Sequence, residues 1–242
     1  MSEIVKSEAI VLTKLDYSDS SKIVNLFTRE FGRITVIVKG GRNKNSKIGL
    51  VVDPMNIIDA VIYNKPNREI QLLSGAELQA HFPNIRNDYE KLRYAFAVLE
   101  LLNEQYMQEE ANSRLFIGVK RIFELFNASP EDPQIIFLRF FLFFLKELGF
   151  EISVDVCPVC NKKLAGSGFF GFLFTRGIIC DDCAGKGTGI ELSMELFELY
   201  NCLKMKKSVV SSRKTVDQIQ TQLLHFLEHH SMSFKGLKSL AR

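Results

Sequence analysis

From Lys6 to Leu73 apolar positions come in short bursts: SEAIVLTKL, SKIVNLFTR, GRITVIVKG, NIIDAVIY and REIQLLS. These segments are rich in Val, Ile and Thr and are separated by polar turns, the pattern of β-strands. Five strands in so short a stretch predict a small closed barrel, and for five strands the OB-fold is the usual solution. Such barrels commonly bind single-stranded nucleic acid across their middle strands, although architecture alone does not establish that use.

After Gly75 the spacing turns helical. Apolar residues fall three and four apart near Asp88 to Glu109, Arg114 to Phe126 and Pro133 to Leu148, with breakers at Asn127 to Pro130 and at Gly149. The third segment, PQIIFLRFFLFFLKELG, is apolar nearly all round, as expected of a helix surrounded by other elements. Its rings Phe137, Phe140, Phe141, Phe143 and Phe144 read as core, because a base-stacking surface needs nearby cations and this run supplies only Arg139. LSMELFELYNCLKM and TVDQIQTQLLHFLEHH return to amphipathic helix, and no internal repeat is visible. The pattern predicts an α+β multidomain chain. A five-stranded OB-like barrel occupies residues 1–78, and a mostly helical domain occupies 79–242, with a metal-binding insertion at 154–187.

At 242 residues and 46% hydrophobic content, the chain has ample material for real cores. The net charge is only +3, so attraction for nucleic acid has to come from a local concentration of cations. Residues 1–75 hold 11 Lys and Arg against 8 Asp and Glu, whereas residues 76–242 hold 20 against 20. The excess therefore sits in the barrel region. The opening MSEIVKSEAIVL mixes charges into its apolar positions and has no secretory character, so a cytoplasmic protein is expected. The longest greasy run, Ile135 to Leu145, is too short for a membrane helix and carries Arg139 in its middle.

Thiols stay reduced in the cytosol, so two close cysteine pairs point to metal or redox chemistry more than to structural disulfides. Cys157-x2-Cys160 is followed after nineteen residues by Cys180-x2-Cys183. This is zinc spacing: each pair presents two sulfurs from one turn, and two turns complete a closed tetrahedral shell. With no open position for water or substrate, such a site is structural. The intervening FFGFLFTRGIIC reads as a hairpin that brings the pairs together, in the manner of a zinc ribbon. A thioredoxin-like reading lacks its βαβ context, and a zinc-deaminase reading lacks the histidine-glutamate element. Cys202, in a helical pattern, reads as a buried apolar residue. Asp181 and Asp182 at the second pair would repel phosphate even though Lys162 and Lys163 flank the first, so the module is expected to brace the fold rather than grip DNA.

Two further motifs invite over-reading. His225-Phe-Leu-Glu228-His229 spells the inverted zinc-protease signature, but a third protein ligand is not evident, and two such histidines on an amphipathic helix are more simply surface residues. AGKGTG at 184–189 has glycines that could cradle phosphate, yet no strand feeds it, and it reads as a loop.

The basic charge is concentrated in KGGRNKNSK, where Lys39, Arg42, Lys44 and Lys47 stand without an acid directly after the strand RITVIVK. Gly40 and Gly41 offer backbone freedom to bend around a ligand. On an OB-like barrel such a loop can bind nucleic acid of any sequence by counterion release. Phe27, Phe31 and Tyr63 are aromatic candidates beside it that could equally be core.

The run LDYSDSSKIVNLFTREFGRITVIVKGGR, then AELQAHFPNIRNDYEKLRYAFAVLELL, then CPVC with CDDC, resembles the RecO family of bacterial recombinational repair proteins, in order from about Ser7 to about Met205. The last forty residues match only in being helical. The resemblance implies an OB domain, a helical domain and an embedded zinc module, and a non-catalytic activity. That activity is to bind single- and double-stranded DNA, anneal complementary strands and help a recombinase load onto DNA coated by single-strand binding protein. RecR, the single-strand binding protein and, indirectly, RecA would be the partners. It carries DNA contact to Lys39 and Arg42, with Lys44 and Lys47 following by proximity, and zinc ligation to Cys157, Cys160, Cys180 and Cys183. A protein-interaction adaptor with incidental nucleic-acid contact is the alternative.

Overall fold

The computed structural model describes residues 3–66, 68–105, 111–164, 170–185 and 189–241. The chain divides into two compact units, Met1–Ser129 together with Leu237–Arg242, and Pro130–Gly236. Compactness thus divides the chain elsewhere than the change from strand to helix pattern.

The first unit is built on strands β1 (Glu3–Tyr17), β2 (Ser21–Thr28), β3 (Gly32–Val38), β4 (Ile57–Asn64) and β5 (Ile70–Ala80), closed into a barrel in the order β1-β2-β3-β5-β4. This is the OB-like architecture. The long β1 serves both ends of the sheet, pairing with β2 and with β4 and shifting register between Val11 and Thr13. Closure is completed by the parallel pair β3–β5, with Thr35 opposite Ile70. Val11, Val24, Leu26, Val36, Ile58 and Ile62 fill the interior, each with essentially no exposed surface. Small and β-branched side chains suit so narrow a barrel. The helical spacing read from Gly75 onward is corrected here: β5 continues to Ala80, because β4 offers it partners through Asp59, Ile58 and Ile57. Helix α1 (Lys47–Val51) lies between β3 and β4.

Helices α2 (Pro83–Arg86), α3 (Tyr89–Gln105) and α4 (Ser113–Ala128) belong to the same unit. Phe27 of β2 packs on Phe116 of α4 with ring centroids 5.8 Å apart, and Arg33 Nη1 donates to the Asn103 carbonyl at 2.7 Å. The chain returns to this unit at its end, where the Ser239 N–H donates to Glu100 at 3.1 Å and Leu237 and Leu240 are buried.

The second unit holds α5 (Pro133–Glu147), β6 (Phe170–Leu173), β7 (Gly177–Ile179), α6 (Asp181–Ala184), β8 (Ile190–Leu192), α7 (Met194–Lys204) and α8 (Arg213–His230). Phe137, Phe140, Phe141 and Phe144 of α5 are all buried, as the run with no polar face requires. Arg139 is held by Glu131 at 2.6 Å and by the Lys207 carbonyl at 2.7 Å. The hairpin expected between the cysteine pairs is β6–β7, and β8 adds a third strand in the order β7-β6-β8. Among the described residues no helix is long and apolar enough to cross a membrane.

Candidate nucleic-acid interface and metal centre

The loop leaving β3 is pinned rather than hinged, which corrects the expectation that its glycines let it bend. Successive turns run through it: Gly41 N donates to Val38 O at 3.2 Å, Asn43 N to Gly40 O at 3.1 Å and Ser46 N to Asn43 O at 2.9 Å. Gly40 sits at φ +67°, in the left-handed region that glycine tolerates best. A Cβ on Gly49 would lie 2.1 Å from the Gly41 carbonyl oxygen, so these glycines serve close backbone contact between loop and α1. The Ser46 hydroxyl caps α1 by accepting from Gly49 N at 3.1 Å, and Lys22 Nζ donates to Gly49 O at 3.0 Å.

Lys39, Arg42 and Lys44 are exposed on this braced loop, and Lys47 is exposed at the first position of α1. Lys39, Lys44 and Lys47 have no ion pair among the described residues. Arg42 does: its Nε lies 3.5 Å from an Asp16 carboxylate oxygen, and its Nη1 donates to Ser18 O at 2.6 Å, clasping the end of the β1–β2 hairpin. The acid that offsets one of the four cations is remote in sequence, and reading the loop by itself missed it.

Of the aromatic candidates, Phe27 is core at 1% exposure, and Phe31 packs partly buried against the barrel interior. Tyr63 is 40% exposed. Sequence reasoning missed Tyr17, half exposed at the hairpin end beside Arg42. It also missed a cleft of about 660 Å³ lined by Arg33, Lys65 and Arg68 together with Glu69. The β3–β5 pairing assembles that cleft from segments some thirty residues apart, so no local charge run announces it.

In the second unit, the sulfurs of Cys157, Cys160, Cys180 and Cys183 all lie within 4.8 Å of one another, with Cys160 Sγ 3.5 Å from Cys180 Sγ. Sulfurs at the corners of a tetrahedron around zinc would be about 3.8 Å apart, so the four could hold one metal ion. Each pair sits on a tight turn. Asn161 takes a left-handed conformation at φ 60° and donates its N–H to Cys157 O at 2.9 Å, while Ala184 N donates to Cys180 O at 2.9 Å. Burial pushes the Cys157 thiol up, but backbone N–H groups of Cys180, Cys160 and Val159 outweigh it and bring it down to about 6. Burial and the neighbouring sulfurs push Cys183 up to about 12 and raise Cys180. The thiolate is favoured at Cys157 and resisted at Cys180 and Cys183, and that resistance is what a bound dication reverses. Lys162 Nζ lies 2.7 Å from Asp182 and 3.6 Å from Asp181, so the carboxylates at the knuckle are paired.

Other signals resolve simply. His225, Glu228 and His229 are exposed on α8, and among the described residues the clusters of three or more ligand donors are the cysteine quartet and Cys180 with Asp181 and Asp182. Lys186, Gly187 and Thr188 of the glycine-rich stretch lie outside the described residues, as does part of the segment joining the cysteine pairs. Cys202 on α7 is half-buried, not fully buried as expected.

The family model for "Recombination protein O N terminal" matches residues 1–82, and that for "Recombination protein O C terminal" matches 86–241. The chain belongs to the RecO family. Two relatives named "DNA repair protein RecO" match over 164 residues. The protein from Chlorobaculum parvum is 40% identical and that from Chlorobium limicola 35%, each match covering 68% of this chain and 63% of the relative. The RecO of Syntrophomonas wolfei is 27% identical over 227 residues, 93% of this chain and 88% of its own length. The chain thus spans rather less than two thirds of the first relatives. Within the RecO family assignment, the barrel lies in the N-terminal match and the cysteine quartet in the C-terminal one.

Proposed function

We infer that this chain is a non-catalytic DNA-binding mediator of recombinational repair. It binds single- and double-stranded DNA, anneals complementary strands, and assists recombinase loading together with RecR and single-strand binding protein, with RecA as an indirect partner in the bacterial cytoplasm. Contact with DNA is assigned to the barrel, residues 1–78, through Lys39, Arg42, Lys44 and Lys47. The observation that carries this reading is a braced, exposed loop on an OB-like barrel, with three of its four cations unpaired among the described residues. Family membership and the relatives' names as DNA repair proteins support it. Cations that neutralise phosphates on two strands reduce the repulsion between them, and base pairing then supplies specificity. That is annealing without a reaction centre.

The ion assigned to Cys157, Cys160, Cys180 and Cys183 is one zinc ion, since four thiolates favour zinc and leave no open position. Bound there, it would cross-link the two knuckles and take no part in chemistry.

The test is a salt titration of oligonucleotide binding combined with a strand-annealing assay on naked DNA. With Arg42 offset by Asp16, the three unpaired cations predict a single-strand slope on the order of −2 in log K against log[salt], approaching about −3 if all four meet phosphate, and alanine at all four positions should flatten it. An unchanged slope moves the surface elsewhere. Acceleration of annealing only when a partner protein is added would favour an adaptor instead.

A further inference from the structure

The register of the barrel sets side chains in rows that cross its strands. Leu15 is opposite Ile23, Ile23 opposite Ile37, Ile37 opposite Leu72, and Leu72 opposite Tyr63. Their chain neighbours Val24, Val36, Val38, Leu73 and Ile62 are buried in the interior, so this row faces outward. At one end of the row Leu15 is 66% exposed, and Tyr17, two residues along the same face of β1, is 50% exposed. Ile23, Ile37 and Leu72 along the row are partly buried, so the apolar surface in reach of a ligand is concentrated at the end that Leu15 and Tyr17 form.

Charge beside the row identifies the ligand. Arg42 reaches Asp16 at 3.5 Å and Ser18 O at 2.6 Å, the two residues that flank Tyr17 in sequence, so a guanidinium is fixed at the same hairpin end. Lys39 lies two residues beyond Ile37 and is exposed. Exposed rings with cations at their edge are what a base-stacking platform requires. A duplex buries its base faces and presents only phosphate here. An unpaired strand offers flat apolar bases and an anionic backbone together.

We propose that Tyr17, backed by Leu15 and bordered by Arg42 and Lys39, is a stacking platform for bases of an unpaired DNA strand. This rests on the cationic-loop reading and deepens it: the cations hold any phosphate chain, and the ring selects unpaired DNA. The experiment compares binding of a labelled oligothymidine and of a duplex of equal length to full-length protein carrying Tyr17→Ala, Tyr17→Phe or alanine at Lys39, Lys44 and Lys47. Tyr17→Ala should weaken single-strand binding about 5-fold or more, with duplex affinity changed less than about twofold and the salt slope retained. Tyr17→Phe, which keeps the ring, should bind like the parent protein. Because the chain has no tryptophan, Tyr17→Trp supplies a single reporter whose fluorescence should be quenched by the oligothymidine and not by the duplex. Equal losses for both DNA forms, unchanged single-strand affinity in Tyr17→Ala, or an unquenched reporter would overturn the platform. The lysine variant separates the two readings: if it flattens the salt slope while Tyr17→Ala does nothing, the loop stands and the platform falls.

Discussion

Arg42 illustrates how much one residue's role depends on its partner. As one of four exposed cations it is available to phosphate, but Asp16 at 3.5 Å offsets it, and both side chains are well exposed. An exposed pair of this kind adds little stability, about 0–1 kcal/mol, so its main effect is on the charge presented to a ligand. Asp16→Ala should therefore raise single-strand affinity severalfold at low salt and steepen the salt slope by about 0.7, as one more cation becomes free to displace counterions. The Ser18 carbonyl still holds the guanidinium at 2.6 Å, so the loop should keep its place. Fluorescence anisotropy over a salt series reads both effects, and a slope unaltered by the substitution would mean that Arg42 never meets phosphate.

Among the elements, α8 carries the clearest pH dependence. Near its end His230 stacks on Phe150 with ring centroids 4.4 Å apart and meets Phe226 at 4.5 Å, and its Nε2 is buried without a hydrogen-bond partner among the described residues. Burial holds the imidazole below its ordinary pKa, and His229 alongside lowers it further. The unfolded chain then takes up a proton at a higher pH than the folded one, so stability rises with pH across that interval. This contribution is intact above about pH 6.5 and is lost as pH falls through the depressed value. His230→Phe keeps the stack and removes the proton. The gap in melting temperature between the parent protein and this variant should move in the variant's favour from pH 7.5 to 5. A gap independent of pH would show that the imidazole titrates normally.

At the scale of the whole molecule, stability is divided between a barrel unit with its own core and a second unit in which a small sheet and four cysteines stand among helices. Chelation or Cys160→Ser should lower the melting temperature of the second unit, with a loss on the order of several kcal/mol, while the barrel keeps its amide-exchange protection. Hydrogen exchange resolved by segment checks this. Protection retained in β6, β7 and α7 after metal removal would show that the quartet is not a brace. The sequence by itself determined the five strands, the long helices, the buried phenylalanines of α5 and the cysteine pairs, because alternation, helical spacing and ligand spacing are local properties of the chain. Only the tertiary structure decided that β5 runs to Ala80, that Asp16 offsets Arg42, that Arg33 meets Lys65 and Arg68 at one cleft, and that Tyr17 opens beside a guanidinium. Each of these depends on which distant segment lies alongside, and periodicity states which face is apolar without naming the partner that covers it.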